Sequence, residues 1–211
     1  MAEHIPLEPR HLMEAAHVVQ GTLRSGLDRD WTARAGDLEW DCRATLDHIV
    51  GVPIYYATNL AMRSTERLRN VRGSGDPAAS IEELVAGIER GAAILAQVAA
   101  AAPPDARGFH PAGMADPQGF VAMACDELLI HAHDIAQGLE LPYQPPAELC
   151  ELLLRRLFPW APSGAAPWPG LLWANGRAGL PGQERLAADW YWQCAPLAEW
   201  DGTIRKRPAA R

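Results

Sequence analysis

The stretch DELLIHAHDIAQG, residues 126–138, gathers two histidines and three carboxylates into barely three turns of a helix. At ~100° per residue, Glu127 and His131 share a stripe, one turn and about 40° apart. Asp134 falls about 20° to the other side of Glu127, whereas His133 points roughly 120° away. A carboxylate and an imidazole one turn apart can reach a single divalent ion. The spacing therefore selects His131 and leaves His133 as a surface or interface residue. An E-x-x-x-H pattern also describes a plain surface pair, so this stretch alone leaves both readings open.

A second polar line runs along residues 41–59. Asp41, His48, Tyr55 and Asn59 share one side of a helix, while Leu46, Ile49, Val50, Pro53 and Leu60 populate other directions. For a single helix, such a line reads as the solvent face. Two helices of one bundle that both carry ligand-type residues change the balance, because bundles build metal sites from facing helices. His48, Glu127 and His131 then form a set of three protein ligands, with a fourth position open as in catalytic zinc sites. Two histidines and one carboxylate also suit iron(II), so ligand type does not choose the metal. Asp134 is a candidate acceptor for the His131 N–H. Tyr55 and Asn59 are candidate hydrogen-bonding residues of the cavity, and Asp47 reads as a surface carboxylate.

These residues need helices to hold them. Helical spacing covers 8–28, with Leu12, Ala15, Ala16, Val19 and Leu23 on one side. A connector with two tryptophans, 28–40, precedes a second helix from about Asp41 to about Val71, with a kink or break expected at Pro53. Ser80 with Glu83 makes a capping box for a third helix, 81–102. After a loop at 103–117 comes a fourth, from about Gln118 to Gly138. The expectation is an all-α bundle over residues 1–140, with 141–211 as a short Trp-rich helical extension packed on it. Within that extension the pattern predicts a helix at 147–158, a short one within 171–182, and a last helix or aromatic strand at 188–200. Its tryptophans read as packing residues.

Bulk properties narrow the class. The net charge is −7, Lys206 is the sole lysine, and the one basic run is RKRP at 205–208, so nucleic acid is not an expected partner. The N-terminus lacks a signal pattern, and no uninterrupted apolar run approaches the ~18 residues of a membrane span. A cytoplasmic protein with free, buried thiols is expected. Cys42, Cys125, Cys150 and Cys194 lie far apart and never form a C-x-x-C pair.

WTARAGDLEWDCRATLDH, residues 31–48, resembles the N-terminal signature of the mycothiol-dependent maleylpyruvate isomerase-like proteins, within the DinB-like bundle superfamily. DELLIHAHDIA, 126–136, resembles the fourth-helix motif of that family, in which Glu and His four apart precede an Asp. The resemblance covers about residues 8–160, and LLWANGRAGLPG at 171–182 resembles the C-terminal segment of short family members. It implies a DinB-like four-helix bundle of up-down-down-up topology with a long connection between helices two and three. It further implies a divalent metal, usually zinc, on His48, Glu127 and His131, with a low-molecular-weight thiol such as mycothiol beside it. Characterised isomerases continue into a sterol-carrier-like domain. The short Trp-rich tail here departs from that pattern, and maleylpyruvate does not carry over as substrate.

The expected function is a metal-dependent enzyme of transferase or isomerase type, in which a metal-stabilised thiolate adds to a small electrophile. Its partners are a small-molecule substrate and a thiol, without nucleic acid or membrane, and a homodimer is allowed. A metal-dependent hydrolase is the nearest alternative. A bundle that binds a metal or small ligand without chemistry is the other.

Overall fold

A computed structural model describes residues 6–71, 73–187 and 189–207. Four long helices dominate it: α1 (Pro9–Arg24), α2 (Cys42–Ala61), α3 (Ile81–Ala101) and α4 (Pro117–Gly138). Each start has a local cause. Pro9 opens α1 and Pro117 opens α4, where the missing N–H costs nothing. The Asp41 carboxylate accepts from Ala44 N–H at the start of α2, and Asp116 accepts from Gly119 N–H at the start of α4. Ser80 and Glu83 form the expected capping box of α3.

Side-chain pairings fix the helix directions. Gln20 Nε2 donates to the Val85 carbonyl and His17 lies 3.1 Å from Glu89, so α1 and α3 are antiparallel. Cys42 sits against the Ile135 carbonyl and His48 against Glu127, so α2 and α4 are antiparallel. Gly87 faces Val50, and Gly91 faces Pro53 and Ile54, so α2 and α3 run in parallel. The first and fourth helices therefore point one way, the second and third the other. The core fills the space between them with Leu12, Val19, Leu46, Ile49, Ile88, Leu95, Phe120 and Leu128, all fully buried.

Two expectations for the second helix are corrected. The second helix ends ten residues before Val71, because Arg63 turns into a left-handed conformation (φ 45°) and Ser64 hydrogen-bonds back to Asn59. Pro53 does not divide it; α2 is one continuous helix through that position. The third helix is long and apolar enough, with a mean hydropathy of 1.4 over 18 residues, to cross a bilayer by composition. Its Leu84, Val85, Ile88, Ala92 and Leu95 are nonetheless buried inside the bundle. Its two charged turns, Glu82–Glu83 and Glu89–Arg90, are what hid that length from a search for uninterrupted apolar runs.

The 103–117 segment is not wholly loop. It contains an antiparallel hairpin, β1 (Gly108–His110) with β2 (Gly113–Ala115). After α4 come α5 (Ala147–Leu157) and α6 (Pro167–Ala174), and a one-turn 3-10 helix at Leu197–Glu199. The short helix thus begins earlier than the 171–182 expectation and ends at Ala174, with Asn175 as its C-cap. The 188–200 stretch is neither the expected longer helix nor a regular strand: its described residues include an isolated bridge between Trp190 and Lys206 and the single 3-10 turn at Leu197–Glu199. This tail lies against α4. A Cβ on Gly119 would collide with the Cys194 carbonyl, so only glycine admits the approach. Arg156 holds the tail there, donating to the Gln193 and Cys194 carbonyls and pairing with Asp116. The four cysteines are free and buried, as expected.

Candidate metal centre

The antiparallel pairing of α2 and α4 brings His48 opposite the Glu127–His131 turn. His48 Nε2 and His131 Nε2 each lie 3.1 Å from the same atom, Glu127 Oε2. The three ligand atoms fall within 4.8 Å of one another. Ligands ~2.0–2.2 Å from one tetrahedral ion stand about 3.3 Å apart, so the set is already near coordination spacing. The imidazoles meet edge to face, with ring centroids 5.1 Å apart. Half-exposed Trp40 lies across both, 5.3 Å from His48 and 6.5 Å from His131.

Asp134 stands where helical geometry placed it. Its Oδ2 is 3.1 Å from His131 Nδ1, and its side chain is 1% exposed. That contact leaves Nε2 as the nitrogen facing Glu127 and His48, the arrangement by which a carboxylate orients a metal-binding histidine. Asp134 is itself gripped by Arg177, whose Nε and Nη2 donate at 2.9 and 2.7 Å to its two oxygens. This fork-to-carboxylate contact is the strong, geometrically demanding kind.

The charges follow from these contacts. Burial alone would raise the Glu127 pKa, but the hydrogen bonds from His131 and His48 outweigh it and hold the carboxyl well below the usual range. Burial would lower the His131 pKa, yet the bonds to Asp134 and Glu127 raise it to about 9. Without an ion, His131 is therefore an imidazolium at neutral pH, donating from both nitrogens. A bound cation would stand in for the proton on Nε2 and satisfy the same carboxylate.

Other candidates fare differently. Tyr55 lines a cavity beside His48, but the residue that touches the ligand set is its neighbour Tyr56, whose buried hydroxyl donates to Glu127 Oε1 at 3.4 Å. Asn59 is fully buried and does not face the site: it donates to the Tyr55 carbonyl and accepts from Ser64. Asp41 is spent on the α2 N-cap. The half-buried Asp47 lies against Gly75 and away from the imidazoles. His133 packs edge-on to Trp168, 5.4 Å away, under α6.

Several residues at the site carried no sequence signal. His110, on β1, accepts from Ala112 N–H at Nδ1 and lies 3.4 Å from Tyr56 Oη; burial lowers its pKa to about 4, so it stays neutral. Asp126 is buried one residue before Glu127, its oxygens accepting from Asn175 Nδ2 and Trp192 Nε1, each at 2.9 Å. Burial pushes its pKa up to about 7, against those two bonds. Asn175, Arg177, Trp190, Trp192 and Arg207 all come from the tail and wall a cavity of about 310 Å³ with the three ligand residues. Asn175 and Arg177 fall inside the LLWANGRAGLPG resemblance, which gave neither a role, and no helical period or local motif marks Trp190, Trp192 and Arg207. A carboxylate inside the apolar run FVAMACDELLI was the one hint, since a buried Asp needs partners from elsewhere.

No family model, curated protein or solved structure matches this chain. The site stands on its own geometry.

Proposed function

We propose that the chain is a divalent-metal-dependent enzyme of the DinB-like kind, which uses a low-molecular-weight thiol such as mycothiol on a small electrophile. One observation carries this reading: two imidazole nitrogens converge on a single carboxylate oxygen at near coordination spacing, with His131 oriented by a buried, Arg-clamped carboxylate. The opposed directions of α1/α3 and α2/α4 are those expected of such a bundle. Zinc suits the donor set, and an ion held by His48, Glu127 and His131 supplies a Lewis acid that lowers the pKa of a thiol.

The chain's own residues do the rest. Asp134 and Arg177 fix the His131 tautomer. Tyr56 holds the second Glu127 oxygen. The four cysteines are buried, none lines either cavity beside the ligand cluster, and burial raises Cys42 and Cys194 to about 11, Cys150 to about 12, and Cys125 well above its ordinary value, which favours a diffusible thiol as the source of sulfur. Its addition forms a C–S bond, and the π electrons of the electrophile end on a carbon that takes up a proton. Rotation about the new C–C single bond, then loss of the proton and expulsion of the thiolate, gives isomerisation; retention of the C–S bond gives transfer.

Elemental analysis after zinc reconstitution should find one zinc per chain. Cobalt(II) substitution followed by a thiol should give a sulfur-to-cobalt charge-transfer band, lost in His48→Ala. Absence of bound metal, with melting unchanged by chelator, sinks the reading. Metal binding without any thiol-dependent band turns it toward hydrolysis.

A further inference from the structure

The β1–β2 hairpin is an insertion between two bundle helices, and strands of three residues are too short to hold themselves. The end of α2 holds them. A Cβ on Gly108 would stand 2.7 Å from the Asn59 carbonyl oxygen, so glycine alone allows the approach. Phe109 N–H donates to the Ser64 carbonyl at 2.7 Å. The turn that closes α2, in which Ser64 bonds back to Asn59, is thus the dock of the hairpin. What it delivers to the ligand cluster is the buried side chain of His110. That ring lies between Tyr56 and Trp192, with centroids 5.4 and 5.7 Å away, and Phe120 backs the Tyr56 ring at 5.5 Å.

The direction of each hydrogen bond then follows from the one before it. Ala112 N–H donates to His110 Nδ1 at 3.1 Å, so Nδ1 is bare and Nε2 carries the ring proton. Nε2 lies 3.4 Å from Tyr56 Oη and donates to it. The hydroxyl, supplied with that donor, turns its own proton to Glu127 Oε1, also at 3.4 Å. With the opposite tautomer, Tyr56 would spend its single proton on His110 and meet the carboxylate with lone pairs. Among the described residues, Tyr56 is the one hydrogen-bond partner of Oε1, whereas both imidazoles meet Oε2.

We infer that His110 is a positioning residue of the metal centre, acting through Tyr56 to occupy Glu127 Oε1 and so present Oε2 alone to His48 and His131. The role rests on the metal reading above and gives the hairpin its purpose. A carboxylate engaged by one oxygen leaves room at the centre for an incoming group, which a catalytic site keeps open.

A double-mutant cycle tests this, read by zinc affinity against a chromophoric chelator and by the visible bands of the cobalt(II) form. His110→Phe keeps an aromatic ring and removes the donor, whereas His110→Gln keeps a donor. Tyr56→Phe should weaken zinc about fivefold and His110→Phe about threefold, the scale of one hydrogen bond to a ligand. The double variant should be no weaker than Tyr56→Phe, because without the hydroxyl His110 has nothing to act on. His110→Gln should stay within about twofold of wild type. The cobalt bands should lose intensity in His110→Phe and Tyr56→Phe, as the freed oxygen raises coordination from four to five, and keep it in His110→Gln. Urea unfolding of the same variants separates packing from positioning: a purely structural His110 would lower stability without moving the cobalt bands. Where His110→Phe fails to fold, His110→Leu takes its place in the cycle. Unchanged zinc affinity and cobalt bands in His110→Phe, or losses that add in the double variant, overturn the role of His110 and leave the metal centre standing. A wild-type protein that binds neither zinc nor cobalt removes both.

Discussion

The site has two halves built by different means. On the helical half, His48, Glu127 and His131 are placed by register: two antiparallel helices, each stiff for five or six turns, bring three side chains together at one level. On the tail half, Asn175, Arg177, Trp192 and Arg207 sit on irregular backbone. Long-range hydrogen bonds hold the first three to carboxylates buried in α4, and Arg207 reaches the Trp190 carbonyl. Helices aim ligands by periodicity. The tail aims its groups because each buried carboxylate of α4 demands donors that the helix cannot supply. Asp126 and Asp134 thus serve as attachment points that convert a disordered-looking composition into one defined wall.

The sharpest way to separate the halves is to remove a ligand. Glu127→Gln or His131→Ala should weaken zinc binding by more than about 100-fold, read by competition with a chromophoric chelator, since three-ligand sites do not survive the loss of one. The tail should matter next. Asp134→Ala leaves the half-buried Arg177 cation without its partner and should cost about 3–5 kcal/mol in urea unfolding. Arg177→Met spares His131 and Asp134 themselves, yet should lower zinc affinity by about 10–100-fold through the loosened carboxylate. An unchanged zinc affinity in Arg177→Met would mean that the tail packs on the site without tuning it.

The pH dependence distinguishes the halves by the window in which stability is lost. The folded pKa of His131, about 9, lies above its ordinary 6.5. Its contribution to stability is therefore complete below 6.5 and is lost as pH rises through about 9. Chemical unfolding of the zinc-free protein should show stability falling across that window, and zinc should flatten the slope. Zinc binding should in turn weaken as pH falls, because the proton and the ion compete for Nε2. Asp126 shifts in the same sense at lower pH, from 3.8 to about 7, so its contribution is lost between those values. Asp126→Asn should remove that portion of the profile and leave the His131 portion. The smallest effect is a choice between neighbours: Tyr56→Phe should cost about 1 kcal/mol and lower zinc affinity severalfold, while Tyr55→Phe should do neither.

What the sequence showed follows the same division. The helical half was legible, because an i,i+4 pair and a facing histidine are statements about a fixed rotation per residue. Asp134 was legible for that reason too. Asn59 was misread on the same rule. Its place on the His48 line was right, but α2 ends two residues after it, and the chain turns so that Ser64 takes its side chain. Tyr55 was named and Tyr56 was not considered, because ~100° steps ignore the length of a tyrosine, whose hydroxyl can reach across to Glu127 from an adjacent direction. In the tail the helix at 147–158 was legible, but the residues that wall the cavity were not. Six of the eight tryptophans follow residue 138, and composition alone assigned them to packing. That holds for Trp168 and Trp173, which are buried, but Trp192 also donates to Asp126 and walls the cavity. The arginine that clamps Asp134 was one of eighteen until the fold put it 43 residues away in sequence and in contact.

The burial of the four cysteines has a practical side. Thiolate is the species that alkylating agents, aromatic disulfides and peroxide attack, and none of these sulfurs is a thiolate near neutrality or open to solvent. The native protein should give no colour with an aromatic disulfide reagent until it is unfolded, when four equivalents should appear. Free-thiol consumption can then be followed in its presence without a background from the chain. Exposure to mild oxidant should leave its cysteine sulfur untouched, whereas exposed Met62 and Met114 can still be oxidised, so a loss of activity under peroxide points to the small thiol only where fresh thiol restores it.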